Sequence, residues 1–398
     1  MGDHADPSLF QPLTLPCGAV LKNRIAKSAM SDSLGDGRGN PTDPQVRLYE
    51  RWANGGVAVS IIGEVQGDPH FAEKPGNLVL RHDSDMGQFR KLADAGAADG
   101  AQLWLQLGHA GAMAHPQIST PKGPSALDLP GLTCEALSLD EVRALPAAFA
   151  HTASLAKDLG FAGVQVHAAH GFLLSQFLSP LFNMREDAYG GSIDGRMRLL
   201  LEVIDAIRAA VGPAFPVAVK LNSSDRLKGG FMPTDALAVI ATLDNSTIDL
   251  IDISGGTYFP GAQSASDSIG RGPYFLDFAQ QARSKTSKPL MATGGFKTFE
   301  EAEVALANGA VDMVGLARAL VLDPALPNAW RATKSGGPAF PKFTDPPEGG
   351  ITAWYSMRLT DIGEDRATDE PRDLATAVAD YDRRDRARAE LWNARFSS

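Results

Sequence analysis

Short, nearly continuous apolar runs recur along the chain between residues 24 and 316. Eight of them stand out, at residues 24–30, 57–63, 102–107, 163–167, 217–221, 250–253, 290–293 and 312–316. Runs such as VAVSIIG and LIDIS lack polar alternation, which is typical of parallel strands buried on both faces. The pattern therefore predicts eight buried strands.

Helical patterns lie between several of these runs. Residues 140–159 combine a start signal, Ser138 or Asp140, with a stop at Gly160. Residues 196–211 place apolar side chains on one face, and residues 298–308 form a third pattern that ends at Gly309. Strands alternating with helices in this way predict a (β/α)8 TIM barrel. The rival fold is a doubly wound sheet, but the sequence lacks the G-x-G-x-x-G expected after its first strand.

Residues 336–398 depart from this alternation. The stretch GGPAFPKFTDPPEGG at 336–350 is rich in Pro and Gly and predicts a connector. Residues 373–396 predict a helix rich in Asp and Arg, and we expect its Leu391 and Trp392 to pack on the barrel or on a partner subunit. We therefore divide the chain into a barrel over 1–335 and a connector with a C-terminal helical extension over 336–398.

Composition narrows the classes of partner. The 398 residues include 37 Lys and Arg against 47 Asp and Glu, a net charge of −10, which argues against nucleic acid as the main partner. No apolar run approaches the ~18 residues of a membrane helix, and MGDHADPSLF does not resemble a secretory signal. Cys17 and Cys134 form no C-x-x-C pair, so a cysteine-ligated cluster is not expected. We expect a cytoplasmic protein with no membrane or nucleic-acid partner.

Two histidines follow the fourth predicted strand, in GVQVHAAHGF. His167 closes the strand and His170 lies in the following loop. Active sites of TIM barrels lie at the carboxyl ends of the strands. Two neutral imidazoles there could donate to one carbonyl or phenolate oxygen. The alternative is a metal site, which needs a third ligand that no nearby motif supplies.

Other strand ends also carry polar or permissive residues. Gln106 offers a donor and an acceptor to an amide-like ring edge, and a core Gln is its simpler interpretation. Lys220, inside an apolar strand, needs an anion, either a ligand or a core carboxylate. Gly294 and Gly295 allow close approach of a ligand, and Arg318 follows the eighth strand, where this fold commonly binds phosphate.

These residues together resemble the Old Yellow Enzyme family of FMN-dependent ene-reductases. The resemblance runs from about Leu9 to Pro324 and is most specific at residues 167–204, which begin HAAHGFLLSQFLSPLFNMREDAYGG. Also similar are LPCGAVLKNRIAKSAM, the run at 49–56, the segment QLGHAG at 106–111, and GGF followed by VGLARALVLDP.

The resemblance implies an FMN site across the barrel mouth and NAD(P)H as reductant. Ser28, Ala29, Met30 and Ser31 would flank the flavin ring. Gly63 would offer a backbone N–H, Gln106 would bond the pyrimidine edge, and Lys220 would face the edge that becomes anionic on reduction. The phosphate would be held by Gly294, Gly295, Gly315, Ala317 and Arg318.

The resemblance also implies the reaction. His167 and His170 would bind the carbonyl oxygen of an α,β-unsaturated substrate, which accepts hydride in a ping-pong cycle. The substrate would be a small electrophilic alkene or quinone, and a homo-oligomer is possible. Three positions depart from the family pattern: Phe172 replaces the usual proton-donor Tyr, Ala112 replaces an Arg, and Ser31 replaces a Cys found in some members. Tyr258, in the loop SGGTYFP, or solvent would then supply the proton, with Phe172 and Tyr258 lining the substrate pocket.

Two alternative functions stay open from the sequence. One is a metal-dependent barrel hydrolase that uses His167 and His170 as ligands. The other is a flavoprotein with weak ene-reductase turnover, because Phe172 has no proton to give.

Overall fold

Eight parallel strands close into a barrel in the computed structural model, which describes residues 8–259, 262, 272–368 and 370–397. Each strand pairs with the next along the chain, and the eighth pairs with the first through Val314 and Ile25. The barrel strands are β1 (Ile25–Lys27), β2 (Val59–Gln66), β3 (Gln102–Leu107), β4 (Gly163–Ala168), β5 (Val217–Asn222), β6 (Leu250–Ser254), β7 (Leu290–Thr293) and β8 (Met313–Leu316).

Helices alternate with these strands, as a (β/α)8 barrel requires, so the predicted fold is confirmed. The helices are α1 (Asp43–Asn54), α2 (Met86–Gly96), α3 (Leu139–Asp158), α4 (Leu173–Leu178), α5 (Ile193–Val211), α6 (Pro233–Asp244), α7 (Leu276–Arg283), α8 (Phe299–Ala307), α9 (Arg318–Leu322), α10 (Leu326–Thr333), α11 (Gly350–Gly363) and α12 (Leu374–Phe396). Among the described residues, no helix is both long and apolar enough to cross a membrane.

Local sequence signals set several helix ends. Ser138, not Asp140, caps α3: its hydroxyl accepts the Glu141 N–H, and the Glu141 carboxylate accepts the Ser138 N–H in return. Thr298 and Glu301 form the same reciprocal pair at the start of α8. Gly160, just past α3, has φ +93°, a conformation that glycine adopts without strain.

An N-terminal hairpin closes the amino end of the barrel. Its strands, Leu13–Thr14 and Val20–Leu21, pair antiparallel. Their apolar side chains pack with those of the barrel interior into one buried cluster, whose members include Leu13, Leu15, Leu21, Trp104, Met291 and Met313. We call this hairpin with its cluster the plug, and the opposite, carboxyl end of the barrel the mouth.

The chain after the barrel folds back onto it. Residues 336–349 contain no helix, as predicted for a connector, but the Gly350–Gly363 helix was not predicted and begins at the last residue assigned to that connector. The predicted helix at 373–396 is α12, with Asp373 as its cap. Trp392 is fully buried, against Val79 and Phe396 among others, and Leu391 is half-buried.

Helix α12 lies on loops that follow the first three barrel strands. Arg388 donates to the Ser33 carbonyl, Arg395 pairs with Asp83 at 2.6 Å, and Asn393 donates to the Gln117 carbonyl at 3.0 Å. The division of the chain at residue 335, and any subunit contact of the extension, stay predictions.

Two predicted strands end three residues away from the observed carboxyl end, whereas the other six end within one residue of it. The first ends at Lys27, so residues 28–31 already belong to a loop at the mouth. The second runs past Gly63 to Gln66, through a bulge between Ile62 and Val65 against β3. The prediction that it stops at Gly63 was wrong because Gly63 sits inside the bulge, which re-aims the residues that follow it.

Candidate active site

Five buried polar side chains form a hydrogen-bonded belt across the barrel interior, above the plug. Gln106 Nε2 donates to Gln165 Oε1 at 2.8 Å, and Gln165 Nε2 donates to Asp252 Oδ2 at 3.1 Å. The Thr293 hydroxyl donates to Asp252 Oδ1 at 2.7 Å and lies 2.8 Å from Ser28 Oγ. The belt joins β3, β4, β6, β7 and the residue after β1, and it gives the mouth a polar floor.

Lys220 is paired with this belt. Its Nζ lies 3.2 Å from Asp252 Oδ2, and both side chains are almost fully buried. Of the two partners that the sequence left open, a core carboxylate is therefore the one that the structure places beside Lys220. An ammonium group has three donors, so the contact with Asp252 leaves donors for a ligand. The role of Lys220 toward flavin stays a prediction.

His167 and His170 meet at the end of β4. Their ring centroids are 5.3 Å apart and their planes cross at 73°. His170 has φ +62°, and its backbone N–H donates to Asn222 Oδ1. Its ring Nε2 lies 2.8 Å from Ser254 Oγ. His167 Nδ1 is buried and has no hydrogen-bond partner in the part of the chain that the structure describes.

Both imidazoles are held neutral. Burial lowers the pKa of each well below 6.5, and Lys220 acts in the same direction on both. A neutral imidazole has one N–H donor and one acceptor. The pair can therefore offer two neutral donors to a ligand oxygen, as the sequence analysis predicted.

Phe172 and Tyr258 complete a wall beside the histidines. The Phe172 ring lies 5.0 Å from that of His167, and the Tyr258 ring lies 5.6 Å from that of His170 and 6.1 Å from that of Phe172. Phe172 is buried, whereas Tyr258 is 57% exposed. The structure thus brings together all four residues predicted to line the substrate pocket.

Glu64 and Gln66 face the same mouth, and the sequence analysis missed both. Glu64 has φ +61° and its Oε1 lies 3.5 Å from His167 Nε2. Within the described residues, Glu64 Oε2 and both amide atoms of Gln66 are buried without a hydrogen-bond partner. Burial raises the pKa of Glu64 to about 8, although Lys220 and Lys74 favour its charged form.

A simple signal could have found them. Polar residues at the carboxyl ends of barrel strands are candidates for chemistry, and Glu64 directly follows the apolar run that ends at Gly63. Asp252 and Gln165, which complete the belt, likewise interrupt apolar runs, in LIDIS and GVQVH.

The loop after β1 passes close to β2. A side chain at Gly63 would place its Cβ only 2.3 Å from the Met30 carbonyl oxygen, so only glycine fits there. Ser31 Oγ is buried and has no partner among the described residues, and Ala29 and Met30 are half-buried. The predicted flavin-flanking residues thus lie together at the mouth, and their contacts to flavin stay predictions.

The predicted phosphate residues lie at two adjacent strand ends. Thr293 of β7 pairs with Gly315 of β8, which brings Gly294 and Gly295 beside Ala317 and Arg318. Gly294 and Gly295 have φ of +127° and +86°, where a side chain would be strained. The Arg318 guanidinium lies 5.6 Å from the ring centroid of Tyr355 in α11.

The mouth fits an FMN molecule. The buried, unpartnered atoms of Ser31 and Gln66 are donors and acceptors of the kind that a flavin ring edge satisfies, and buried polar atoms are otherwise almost always paired. Lys220 and Arg318 supply cations at separate strand ends, suited to a ring edge that gains charge and to a phosphate. Ser31, Lys220 and Arg318 would be among the residues that hold it.

A metal site finds less support. The residues that the structure describes contain no group of three or more His, Cys, Asp or Glu side chains that could hold a metal ion. His109, a further histidine near the mouth, stacks on Phe71 and accepts the Gly111 N–H, and burial lowers its pKa to about 4. This geometry agrees with a structural role for His109.

Comparison with known proteins identifies the class. Residues 8–334 match the NADH:flavin oxidoreductase / NADH oxidase family. The NADH-dependent flavin oxidoreductase iliE of Hypocrea jecorina is 35% identical over 350 residues, covering 79% of this chain and 87% of that protein. The structure of morphinone reductase superposes with a TM-score of 0.73 at 25% identity, covering 85% of this chain and 93% of that one. A 2-naphthoyl-CoA reductase complex gives a TM-score of 0.78 at 26% identity, covering 82% of this chain but only 52% of that one.

Fold and site together define a flavin-dependent oxidoreductase barrel. The chain belongs to the NADH:flavin oxidoreductase / NADH oxidase family, that is, to the Old Yellow Enzyme family that its motifs resemble. FMN is its cofactor and NAD(P)H its reductant.

Proposed function

We propose that the protein is an ene-reductase, which takes hydride from NAD(P)H and reduces the activated C=C bond of an α,β-unsaturated carbonyl or a similar acceptor by a ping-pong mechanism. The observation that carries the proposal is the neutral histidine pair at the mouth, with His167 Nδ1 buried and unpartnered among the described residues. Bound FMN supplies hydride transfer, and the protein supplies orientation and charge.

The histidine pair acts on the acceptor oxygen. When hydride adds to the β-carbon, negative charge moves to the carbonyl oxygen, and two preorganised N–H donors stabilise that charge. Burial keeps both rings neutral. Each ring therefore stabilises the oxygen by donating a hydrogen bond and keeps its own proton. An acceptor whose oxygen lies between the rings is thereby oriented over the belt.

Protonation of the α-carbon is the step that the residues of the wall support less well. Phe172 stands in the wall beside His167 and has no acidic proton. Tyr258 lies next to both His170 and Phe172 and can reach solvent, so Tyr258 or water would deliver the proton. Acceptors whose reduced form is well stabilised, such as quinones, maleimides and nitroalkenes, should therefore react faster than simple enones.

The proposal is tested by measuring the two half-reactions separately. Purified holoenzyme is reduced anaerobically with NADH or NADPH and then mixed with single acceptors in a stopped-flow instrument. Reoxidation of the reduced flavin by activated alkenes, with product formed in one turnover, supports ene-reduction. Reoxidation by dioxygen or ferricyanide alone would refute it, and parallel lines in steady-state plots would support the ping-pong order.

A second candidate is a flavoprotein with weak ene-reductase turnover, and Phe172 is the observation that favours it. It predicts normal reduction by NAD(P)H and a very slow single turnover with every acceptor, including quinones, maleimides and nitroalkenes. The same experiment distinguishes the two candidates.

A further inference from the structure

Glu64 is a buried carboxyl group for which the proposed reaction has so far no use. It follows Gly63 in the bulge of β2 and has φ +61°, a strained conformation for a residue with a side chain. The bulge turns the carboxyl group toward His167 Nε2, 3.5 Å from Oε1, while Oε2 has no hydrogen-bond partner in the described part of the chain. Strain held at such a position suggests a functional use.

The contact with Glu64 bears on which nitrogen of His167 carries the proton. A neutral ring has one N–H, and Nε2 faces Glu64, which leaves Nδ1 for a ligand. Nδ1 can donate to a substrate oxygen only if Nε2 is the acceptor. Nε2 is an acceptor toward a protonated carboxyl group and a donor toward a carboxylate.

We propose that Glu64 is a positioning residue: in its protonated form it donates to His167 Nε2 and so fixes the tautomer whose Nδ1–H binds the substrate oxygen. The proposal rests on the proposed function of the histidine pair. The 3.5 Å separation is long for such a bond, and hydrogen bonds of this kind are often long without ligand and tighten when it binds.

The surroundings keep the proton on Glu64. Burial raises its pKa to about 8, while burial lowers the pKa of His167 well below 6.5, so the neutral pair is favoured over the ion pair. The charged groups that face Glu64 are Lys220 from β5, whose charge is met by Asp252, and Lys74 and Glu73 from the loop after β2. The two lysines favour ionisation of Glu64 but do not outweigh its burial.

The proposal predicts a pH-dependent switch. Below pH 8 the protonated Glu64 maintains the Nδ1–H tautomer. As the pH rises through about 8, Glu64 ionises and accepts from Nε2–H instead, and Nδ1 loses its proton. Affinity for phenol and the rate of enone reduction should both fall across this range.

Three variants test whether ionisation of Glu64 causes this fall near pH 8. Glu64→Gln cannot ionise, so the fall near pH 8 should disappear. Glu64→Leu removes any partner for Nε2 and should slow the oxidative half-reaction at every pH, by the ~10²-fold that loss of one oriented donor costs. Glu73→Gln is the matched control, because burial also raises the pKa of Glu73 to about 8 although no contact joins it to His167 among the described residues. Because the charges of Glu73 and Glu64 repel each other, Glu73→Gln should lower the midpoint of the fall slightly but leave the fall in place.

A readout independent of turnover is the tautomer itself. Holoenzyme labelled with ¹⁵N-histidine, with His167 assigned by comparison with His167→Ala, reports which ring nitrogen is protonated between pH 6 and 9.5. We expect Nδ1–H in the wild type at low pH, a change near pH 8, and no change with pH in Glu64→Gln.

The outcomes are distinct from those that test the proposed function. The role of Glu64 would be overturned if His167 of the wild type carried its proton on Nε2 at pH 6.5. It would also be overturned if the fall near pH 8 persisted in Glu64→Gln, or if that fall disappeared in Glu73→Gln. Failure of reduced wild-type enzyme to react with any activated alkene would instead refute ene-reduction, whatever the tautomer of His167.

Discussion

The two ends of the barrel are filled by opposite kinds of side chain. The plug contains apolar residues that are at most 7% exposed, such as Leu13, Leu21 and Met313. The mouth is buried almost as deeply, but by polar groups, including Glu64 and His167, which leave buried atoms unpaired within the described residues. Positive φ at Glu64 and His170 adds strain at the mouth.

The contrast shows how one closed sheet serves two purposes. Apolar burial at the plug stabilises the fold, whereas unpaired polar atoms at the mouth cost stability and are retained at functional sites. Substitutions at the plug should therefore change stability with little effect on chemistry, and substitutions at the mouth should do the reverse.

The largest expected effect that would sharpen this contrast is a gain in enone turnover from a substitution at the mouth. Phe172→Tyr restores a phenol beside His167 and should raise enone turnover by up to the ~10²–10⁴-fold that a positioned general acid provides. Reduction by NAD(P)H should change little, since that half-reaction needs no proton donor. Stopped-flow measurement of both half-reactions checks this.

Tyr258→Phe is the companion variant. It should lower enone turnover in the otherwise wild-type protein, and it should have less effect when combined with Phe172→Tyr in a double variant. If neither variant alters the oxidative half-reaction, the proton comes from elsewhere and Tyr258 has no catalytic role.

The plug should show the next effect, on stability. Leu21→Ala removes a fully buried side chain and should lower the free energy of unfolding by ~2–5 kcal/mol. Its neighbour Val20 is 57% exposed, so Val20→Ala should stay within about 0.5 kcal/mol of wild type. Denaturant unfolding measures both, and a changed FMN affinity in folded Leu21→Ala would break the separation of the two ends.

Loss of a histidine at the mouth should reduce rate rather than stability. His170→Ala removes one of the two donors and should slow the oxidative half-reaction by ~10²–10³-fold and weaken phenol binding. His151→Ala, an exposed histidine on α3, is the control. Wild-type rates of cyclohexenone reduction in His170→Ala and in His167→Ala would show that the pair does not bind the substrate oxygen.

The smallest expected effect is on cofactor affinity. Arg318→Ala should weaken FMN by about 1.5–3 kcal/mol, the usual contribution of a charged contact to phosphate. Arg331→Ala is a matched control. Arg331 also lies over an aromatic ring, that of Phe10, but it is not one of the residues predicted to hold the phosphate. Flavin fluorescence on dilution measures the affinity, and equal values for the two variants would remove Arg318 from the phosphate site.

The sequence predicts the barrel well because its strands are buried on both faces. Each becomes an apolar run that stands out from the amphipathic helices, and the predicted run at 102–107 matches β3 residue for residue. The histidine pair was predictable for the same reason, since it ends such a run.

What escaped prediction depends on contacts distant in the chain. The position of Glu64 after an apolar run marks it as a candidate, but the bulge that turns its carboxyl group toward His167 has no clear local pattern. Asp252 satisfies Lys220 through a strand pairing, Lys220 with Asp252, that no local pattern shows. Helix α11 was missed because its buried residues, among them Trp354, Tyr355 and Ile362, surround it rather than forming one stripe.

The plug also has a kinetic consequence. Because the hairpin and its apolar cluster fill the amino end of the barrel, the described residues leave the mouth as the side from which a molecule would approach the belt. In the proposed ping-pong cycle, the reductant and the acceptor would then enter through this same opening in turn. Excess of either should hinder the other, which makes substrate inhibition at high concentration a property of the architecture rather than of any single side chain.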